Sequence, residues 1–355
     1  MKEGSIREGL LYERLTNGAV RCGVCLRRCT IPCGQRGWCG ARLNRHGRLY
    51  SLIYGRVAVQ HVAPIEIKPL FHFYPGSRAF SLGSLGCNFK CPGCQNWDIA
   101  HQEPKEDGNS TRYISPEEAV RLAQKSGCQG LSWTYNEPTL WFEYTLDGAR
   151  LAKRAGLYTN YVTNGYTTPE ALDLIGPFLD GYRVDIKGFG NTTYGKIGHI
   201  SNFEELLVTV ERAKHRWKMW VEVVTNVIPG YNDDTGQLTE IAAWIVHRLG
   251  EETPWHVTRF VPHLNLSHLP PTSVETLERA KEIGHGQGLR FVYLGNVPDH
   301  PAENTYCDRC GRLLIERYHY SVLTYVLKDH ACPHCGSQIP IIGRLHRDGF
   351  QGEGP

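Results

Sequence analysis

Between residues 80 and 294 the chain alternates two kinds of apolar pattern. Short runs rich in β-branched and aromatic residues read as strands at 80–85, 130–135, 157–163, 181–186, 219–227, 256–260 and 290–294. Between them, segments such as 140–155, 201–215, 234–249 and 273–283 space their apolar residues for one face of a helix. The boundary signals agree. Ser115-Pro116-Glu117-Glu118 supplies an N-cap, a proline at the first helical position and a capping-box glutamate, opening a helix to about residue 126. Thr168-Pro169 opens another, Ser201 with Glu204 predicts a second capping box, and Gly156 stops the helix that begins near residue 140.

Strands alternating with helices of this length predict βαβ units and a parallel sheet. The pattern covers about 220 residues, short of the roughly 250 of a closed eightfold barrel. The expected fold class is therefore α/β, with a partial, open (β/α)6 TIM-type barrel. A doubly wound sheet is the competing arrangement. In either one, reactive groups belong at the carboxyl ends of the strands.

Composition narrows the functional classes. With 41% hydrophobic and 21% charged residues, the 355-residue chain has the makings of a large core. Its net charge of +3, with no basic stripe, argues against a nucleic-acid partner. No apolar run approaches the length of a membrane span, so no membrane association is expected. The N-terminal stretch MKEGSIREGLLYERL mixes both charge signs and lacks the apolar core of a secretory signal. A cytoplasmic location is expected. Thirteen cysteines in such a compartment stay reduced and are better metal ligands than disulfide partners.

Twelve of them fall in three groups and divide the chain. Residues 1–75 form a Cys-rich N-terminal segment, 76–300 the barrel, and 301–355 a small C-terminal domain. Cys128, alone between a helix and a strand, reads as a buried small hydrophobe.

The central group, Cys87, Cys91 and Cys94, follows the first barrel strand directly. Its C-x3-C-x2-C spacing brings three thiolates from one loop. A structural zinc site wants four protein ligands, so three alone would be half a site completed from elsewhere. An iron–sulfur cubane can be held by three, with one iron left open. This loop, placed after the first strand of a partial barrel, resembles the radical S-adenosylmethionine (SAM) superfamily. The resemblance implies a [4Fe–4S] cluster on Cys87, Cys91 and Cys94, with SAM chelated to the fourth iron. It also implies one-electron cleavage of SAM to methionine and a 5′-deoxyadenosyl radical that abstracts hydrogen. One departure is Gly93, which stands where the superfamily often has an aromatic residue; Trp97 is the candidate replacement against adenine.

Later strand ends extend the resemblance. Trp133-Thr134-Tyr135-Asn136-Glu137-Pro138 matches the second-strand motif, implying that Glu137 meets the SAM amino group; its other reading is a helix N-terminal charge. Asn164 in Thr163-Asn164-Gly165, the pair Asp185 and Lys187, and His256 on the sixth strand complete the implied SAM contacts. The Asp-x-Lys spacing puts both charges on one side of a strand, although a solvated ion pair and a core histidine are the plainer readings of these residues. Residues 227–233 match the segment near adenine. The run from Pro64 to Gly76, with Gly86-Cys87-Asn88-Phe89 and Tyr135-Asn136-Glu137-Pro138, resembles the AmmeMemoRadiSam system radical SAM proteins, relatives of pyruvate formate-lyase activating enzymes. That resemblance implies Memo-like and AMMECR-like partners and a flavodoxin or ferredoxin as electron donor.

The flanking groups point to more metal. Cys22, Cys25, Cys29 and Cys39, with Cys33 as a spare thiol, sit among Gly34, Gly37 and Gly40 and suit zinc or a second cluster. Cys307-Asp308-Arg309-Cys310-Gly311 and Cys332-Pro333-His334-Cys335-Gly336 form two knuckles 21 residues apart, with strand character between them. Four such thiolates predict a zinc ribbon holding Zn2+, with rubredoxin-like iron as the alternative. Residues 347–355 read as a frayed end. The sequence thus favours a radical SAM enzyme acting on a small molecule or protein residue. A glycyl-radical enzyme activase and a non-enzymatic metal-stabilised module are the rival readings.

Overall fold

A computed structural model describes residues 5–105 and 111–346. Seven strands run parallel and in chain order across one sheet: Arg78–Gly83, Gly130–Trp133, Tyr158–Thr163, Gly181–Asp185, Trp220–Val227, Trp255–Arg259 and Val292–Gly295. Each of the six crossovers carries a helix, among them Pro116–Lys125, Phe142–Arg154, Pro169–Ile175, Phe203–His215, Thr235–Trp244 and Val274–Gly286. A doubly wound sheet reverses its strand order at a switch point. Here the order never reverses, and right-handed crossovers then keep every helix on one face. The first and seventh strands do not pair, so the sheet is an open partial barrel, as the length of the pattern predicts.

Local signals act where they were expected, with one exception. The side chains of Ser115, Thr168, Asp234 and Ser273 accept hydrogen bonds from backbone N–H groups in the first turns of their helices. The predicted box of Ser201 with Glu204 does not form. Asn202 is the N-cap and gives no side-chain bond; Asn191, twelve residues back, accepts from Phe203 N at 3.1 Å and donates to Glu204 at 3.2 Å. A side chain from the start of the preceding helix, Asn191–Ile197, satisfies an orphan donor that sequence proximity assigned to Ser201.

The first strand's outer edge is covered by an antiparallel strand, Val59–Pro64, which alternation alone did not reveal. Between these two strands the chain doubles back through residues 65–77 and plugs the barrel interior. Glu222, on the fifth parallel strand and fully buried, accepts from the backbone N–H groups of Phe71 and His72, both at 2.9 Å. The N-terminal residues share one core with the barrel and helices: Val20, Cys22, Ile31 and Tyr54 pack in the cluster that holds Trp133, Tyr161 and Val223. Cys128 lies in it too, buried as expected.

The C-terminal segment forms a ribbon. Its hairpin, Leu313–Tyr318 with Ser321–Tyr325, packs on Phe71, Phe291 and Tyr293. Arg317 donates to the carbonyl of Phe71 at 2.9 Å and stands 4.2 Å over its ring. The plug is therefore gripped from both sides, by Glu222 within and Arg317 without. Among the described residues no helix is long and apolar enough to cross a membrane. The end read as frayed lies outside the described residues.

Candidate metal and cofactor site

The loop after the first parallel strand carries Cys87, Cys91 and Cys94, and backbone geometry shapes it. Gly86 has φ +87, and a Cβ there would stand 2.7 Å from the carbonyl oxygen of Cys39, so both conformation and space demand glycine. Asn136 clamps the loop base: its Oδ1 accepts from Ser84 N at 3.1 Å and its Nδ2 donates to Gly86 O at 2.9 Å. Asn96 Nδ2 donates to Tyr135 O at 2.7 Å, and Tyr135 holds φ at 74. A tyrosine in that region is strained, and strain concentrates where a site must be preorganised.

Two expected cofactor residues meet at the first cysteine. Glu137 is 2% exposed, and its carboxylate accepts from Thr139 N at 3.0 Å, Thr163 Oγ1 at 2.8 Å and Asn164 N at 2.8 Å. Burial nevertheless holds its pKa above the usual carboxylate value. Glu137 caps the short helix Pro138–Trp141, so the plainer reading of it as a helix N-terminal charge describes what it does in the fold. Asn164 reaches on: its Nδ2 donates to Asn88 Oδ1 at 2.8 Å and lies 4.0 Å from Cys87 Sγ, while Phe89 N is 3.4 Å from the same sulfur. Donors of this kind stabilise a thiolate and set the potential of any cluster it holds.

Asp185 and Lys187 share a side of the barrel mouth. Lys187 Nζ is 3.0 Å from Asp185 Oδ2, and Arg183 pairs with the other oxygen. Burial works against the Asp185 charge, but Arg183 and Lys187 overcome it and hold the carboxyl below its ordinary value. Burial likewise opposes the Lys187 ammonium; Asp185 and then Cys91 outweigh it and raise its pKa. Both groups are therefore charged at neutral pH. Burial pushes the Cys94 thiol up to about 11, with Cys91 adding to it and Lys187 opposing.

His256 is a correction. The resemblance implied a cofactor contact at a strand end, but His256 is the second residue of Trp255–Arg259 and is buried. Its Nε2 bonds Glu222 Oε2 at 2.7 Å, and its ring lies 4.8 Å from Phe71 and 5.1 Å from Tyr293. The histidine serves the plug: strand pairing seats it beside Glu222 rather than at the strand end.

Gly93 is answered by tertiary packing. A Cβ there would meet Phe260 at 3.1 Å and Leu266 at 3.0 Å, so two apolar side chains that follow the sixth strand pack closely on the loop at Gly93. Trp97 is 47% exposed on the short helix that follows the loop. Asn88, Arg27 and Phe260 were missed in the sequence. Arg27 Nε donates to Asn88 O at 2.7 Å, tying the N-terminal segment to the loop. Only the position of Asn88 directly after the first cysteine could have flagged it.

The three central sulfurs do not crowd together. Among the described residues the only set of three or more ligating side chains with all their atoms within 4.8 Å is Cys307, Cys310, Cys332 and Cys335. There Cys307 and Cys335 Sγ are 3.5 Å apart, and Cys310 and Cys332 Sγ 3.7 Å. Tetrahedral zinc with Zn–S of 2.3 Å places its sulfurs about 3.8 Å apart. Each knuckle closes on a glycine with positive φ, Gly311 at +69 and Gly336 at +73. The C-terminal quartet thus fits one metal ion, whereas the loop trio is not gathered around a single point.

An open barrel with three thiols on the loop after its first strand defines a class of metal-cluster enzyme. The chain belongs to the radical SAM superfamily: that family's model matches residues 82–241. It is 41% identical over 339 residues to an uncharacterized protein of Methanocaldococcus jannaschii, covering 95% of this chain and 100% of that one. A second uncharacterized protein of that organism is 25% identical over 221 residues, covering 59% of this chain and 62% of its own length. Among solved structures, a domain of a pyruvate-formate lyase-activating enzyme from Bacteroides vulgatus aligns at 17% identity and TM-score 0.41, over 47% of this chain and 99% of that one. A radical SAM methyltransferase from Sphaerobacter thermophilus aligns at 18% and 0.48, over 68% and 71%. The family implies a [4Fe–4S] cluster and SAM, and its members are enzymes.

Proposed function

We propose that Cys87, Cys91 and Cys94 hold the [4Fe–4S] cluster, and that the protein cleaves SAM reductively to abstract hydrogen from a substrate admitted at the barrel mouth. The observation that carries this reading is the loop itself: three thiols on one strand-end turn, with the Phe89 backbone N–H and the Asn164 side-chain amide directed at the first sulfur. The cluster, when bound, supplies the electron that breaks the sulfonium bond.

The chain's own residues then do the positioning. SAM ends in an amino-acid zwitterion. The ionised Asp185 suits its ammonium, and the protonated Lys187 suits its carboxylate. Glu137 acts through Asn164, fixing the strand end that carries the amide toward Cys87. Phe260 supplies the apolar wall beside the loop. Cys307, Cys310, Cys332 and Cys335 hold Zn2+ in a closed structural site. A flavodoxin or ferredoxin is the proposed electron donor, and the substrate is a small molecule or a protein residue other than a glycyl-radical glycine.

The test is anaerobic incubation of the reconstituted protein with dithionite and SAM, followed by chromatography for 5′-deoxyadenosine and methionine. Both products are expected from the native chain and neither from Cys87→Ala. A cluster-loaded native chain that leaves SAM intact would overturn the reading.

A further inference from the structure

The N-terminal cysteines, which the proposed reaction does not use, surround a void. Cys22, Cys25, Cys29 and Cys39 all line one small cavity, whose wall also includes Arg42, Asn88 and apolar residues such as Ile31 and Leu140. Cys22, Cys25 and Cys39 are buried, Cys29 is half-buried, and the exposed Cys33 does not line the cavity.

Spacing separates this quartet from the ribbon's. Among the described residues no three of these four sulfurs lie mutually within 4.8 Å, whereas all four ribbon sulfurs do. A single tetrahedral ion needs them about 3.8 Å apart. The ribbon quartet is gathered around a point, as one tetrahedral ion requires; the N-terminal quartet is less tightly gathered, which suits the wider spacing of cluster ligands.

Charge supplies an independent observation. Arg42 is 2% exposed and pairs with Glu143 at 2.8 Å. Its Nε, buried in the same wall, has no hydrogen-bond partner. A buried guanidinium N–H rarely goes unmet. An anionic group with sulfur acceptors in the cavity would meet it and balance the cation.

Place supplies a third. Asn88, next to Cys87, lines the cavity, and the carbonyl of Cys39 packs directly on Gly86. We infer that Cys22, Cys25, Cys29 and Cys39 ligate a second [4Fe–4S] cluster, coordinatively complete, seated against Arg42 and beside the loop of the first. The inference stands on this cavity and does not require the Cys87 loop to bind SAM.

Anaerobic metal and sulfide analysis with Mössbauer spectroscopy of the native, full-length protein tests it without any substitution. About eight iron and one zinc per chain are expected. About four iron and two zinc would overturn it while leaving the first cluster in place. The variant Cys87→Ala/Cys91→Ala/Cys94→Ala assigns the iron: it should keep about four iron and, after dithionite reduction, a [4Fe–4S] electron spin resonance signal. Loss of all iron from that variant, with zinc rising to two, also overturns the inference.

Discussion

The side-chain amide of Asn164 donates to Asn88 Oδ1 at 2.8 Å across 76 residues of sequence. This bond joins the end of the third parallel strand to the residue after the first cysteine of the loop. Glu137 fixes the donor's backbone, and Arg27 holds the acceptor's carbonyl. The loop is thus positioned by three side chains from outside it, none of them a metal ligand.

Removing that bond should therefore impair turnover without removing iron. Outer-shell partners of metal ligands typically contribute 10–100-fold to activity or affinity, so Asn164→Ala should lower the rate of 5′-deoxyadenosine formation by about that factor. Iron content should stay at the native level while the electron spin resonance of the reduced cluster shifts. An unchanged rate and spectrum would show the clamp to be dispensable.

The Arg42–Glu143 pair is buried on both sides, at 2% and 3% side-chain exposure. Breaking such a pair leaves one unpaired buried charge and costs about 3–5 kcal/mol. Urea unfolding of Arg42→Met should show that loss. The double variant Arg42→Met/Glu143→Leu, which removes both members of the pair, should recover part of it, since the cavity still loses its cation and Leu10 N its acceptor. Equal stability of the single and double variants would contradict the argument.

His72 gives the fold an acid-side dependence. Burial holds its imidazole neutral down to about pH 4, against 6.5 for the free group, with Glu222 opposing the shift. Unfolding therefore takes up a proton between these values. The stabilisation is fully present above pH 6.5 and disappears as pH falls through 4, amounting to about 3 kcal/mol in all. Comparing urea midpoints at pH 7.5 and 4.5, the native chain should lose more stability than His72→Phe. Parallel losses would show that His72 is not the titrating group.

The ribbon's metal should be local in its effect. Cys307→Ser removes one of four ligands, and binding free energy at such a site is folding free energy. Hydrogen exchange should accelerate in Leu313–Tyr318 and Ser321–Tyr325, and then in Phe71 and His72, which Arg317 and the C-terminal segment hold. The strands from Gly130 to Asp185 should keep their protection. Uniform loss of protection would mean that the ribbon supports the whole barrel.

Much of the site was legible because metal ligation uses short loops. C-x3-C-x2-C after a strand, and paired knuckles ending in glycine, are local spacings that a coordination sphere requires. The alternation of strand and helix likewise carries the barrel, since each βαβ unit is built from contiguous residues. Where those rules were stretched to tertiary partners they failed. Ser201 lost its capping role to Asn191, and His256 turned out to face Glu222 and Phe71.

By itself the sequence determined the cysteine groups, the order of elements and the strand ends that bear Glu137, Asn164, Asp185 and Lys187. Only the tertiary structure decided what those residues touch. It showed that Phe260 packs against the loop at Gly93, that residues 65–77 plug the barrel floor, and that one cysteine quartet closes on a point while another lines a small cavity. The reason is range: helix spacing and ligand motifs act over a few residues. Strand register and burial pair groups such as Phe71 with Glu222, 151 residues apart, and no local pattern encodes that distance.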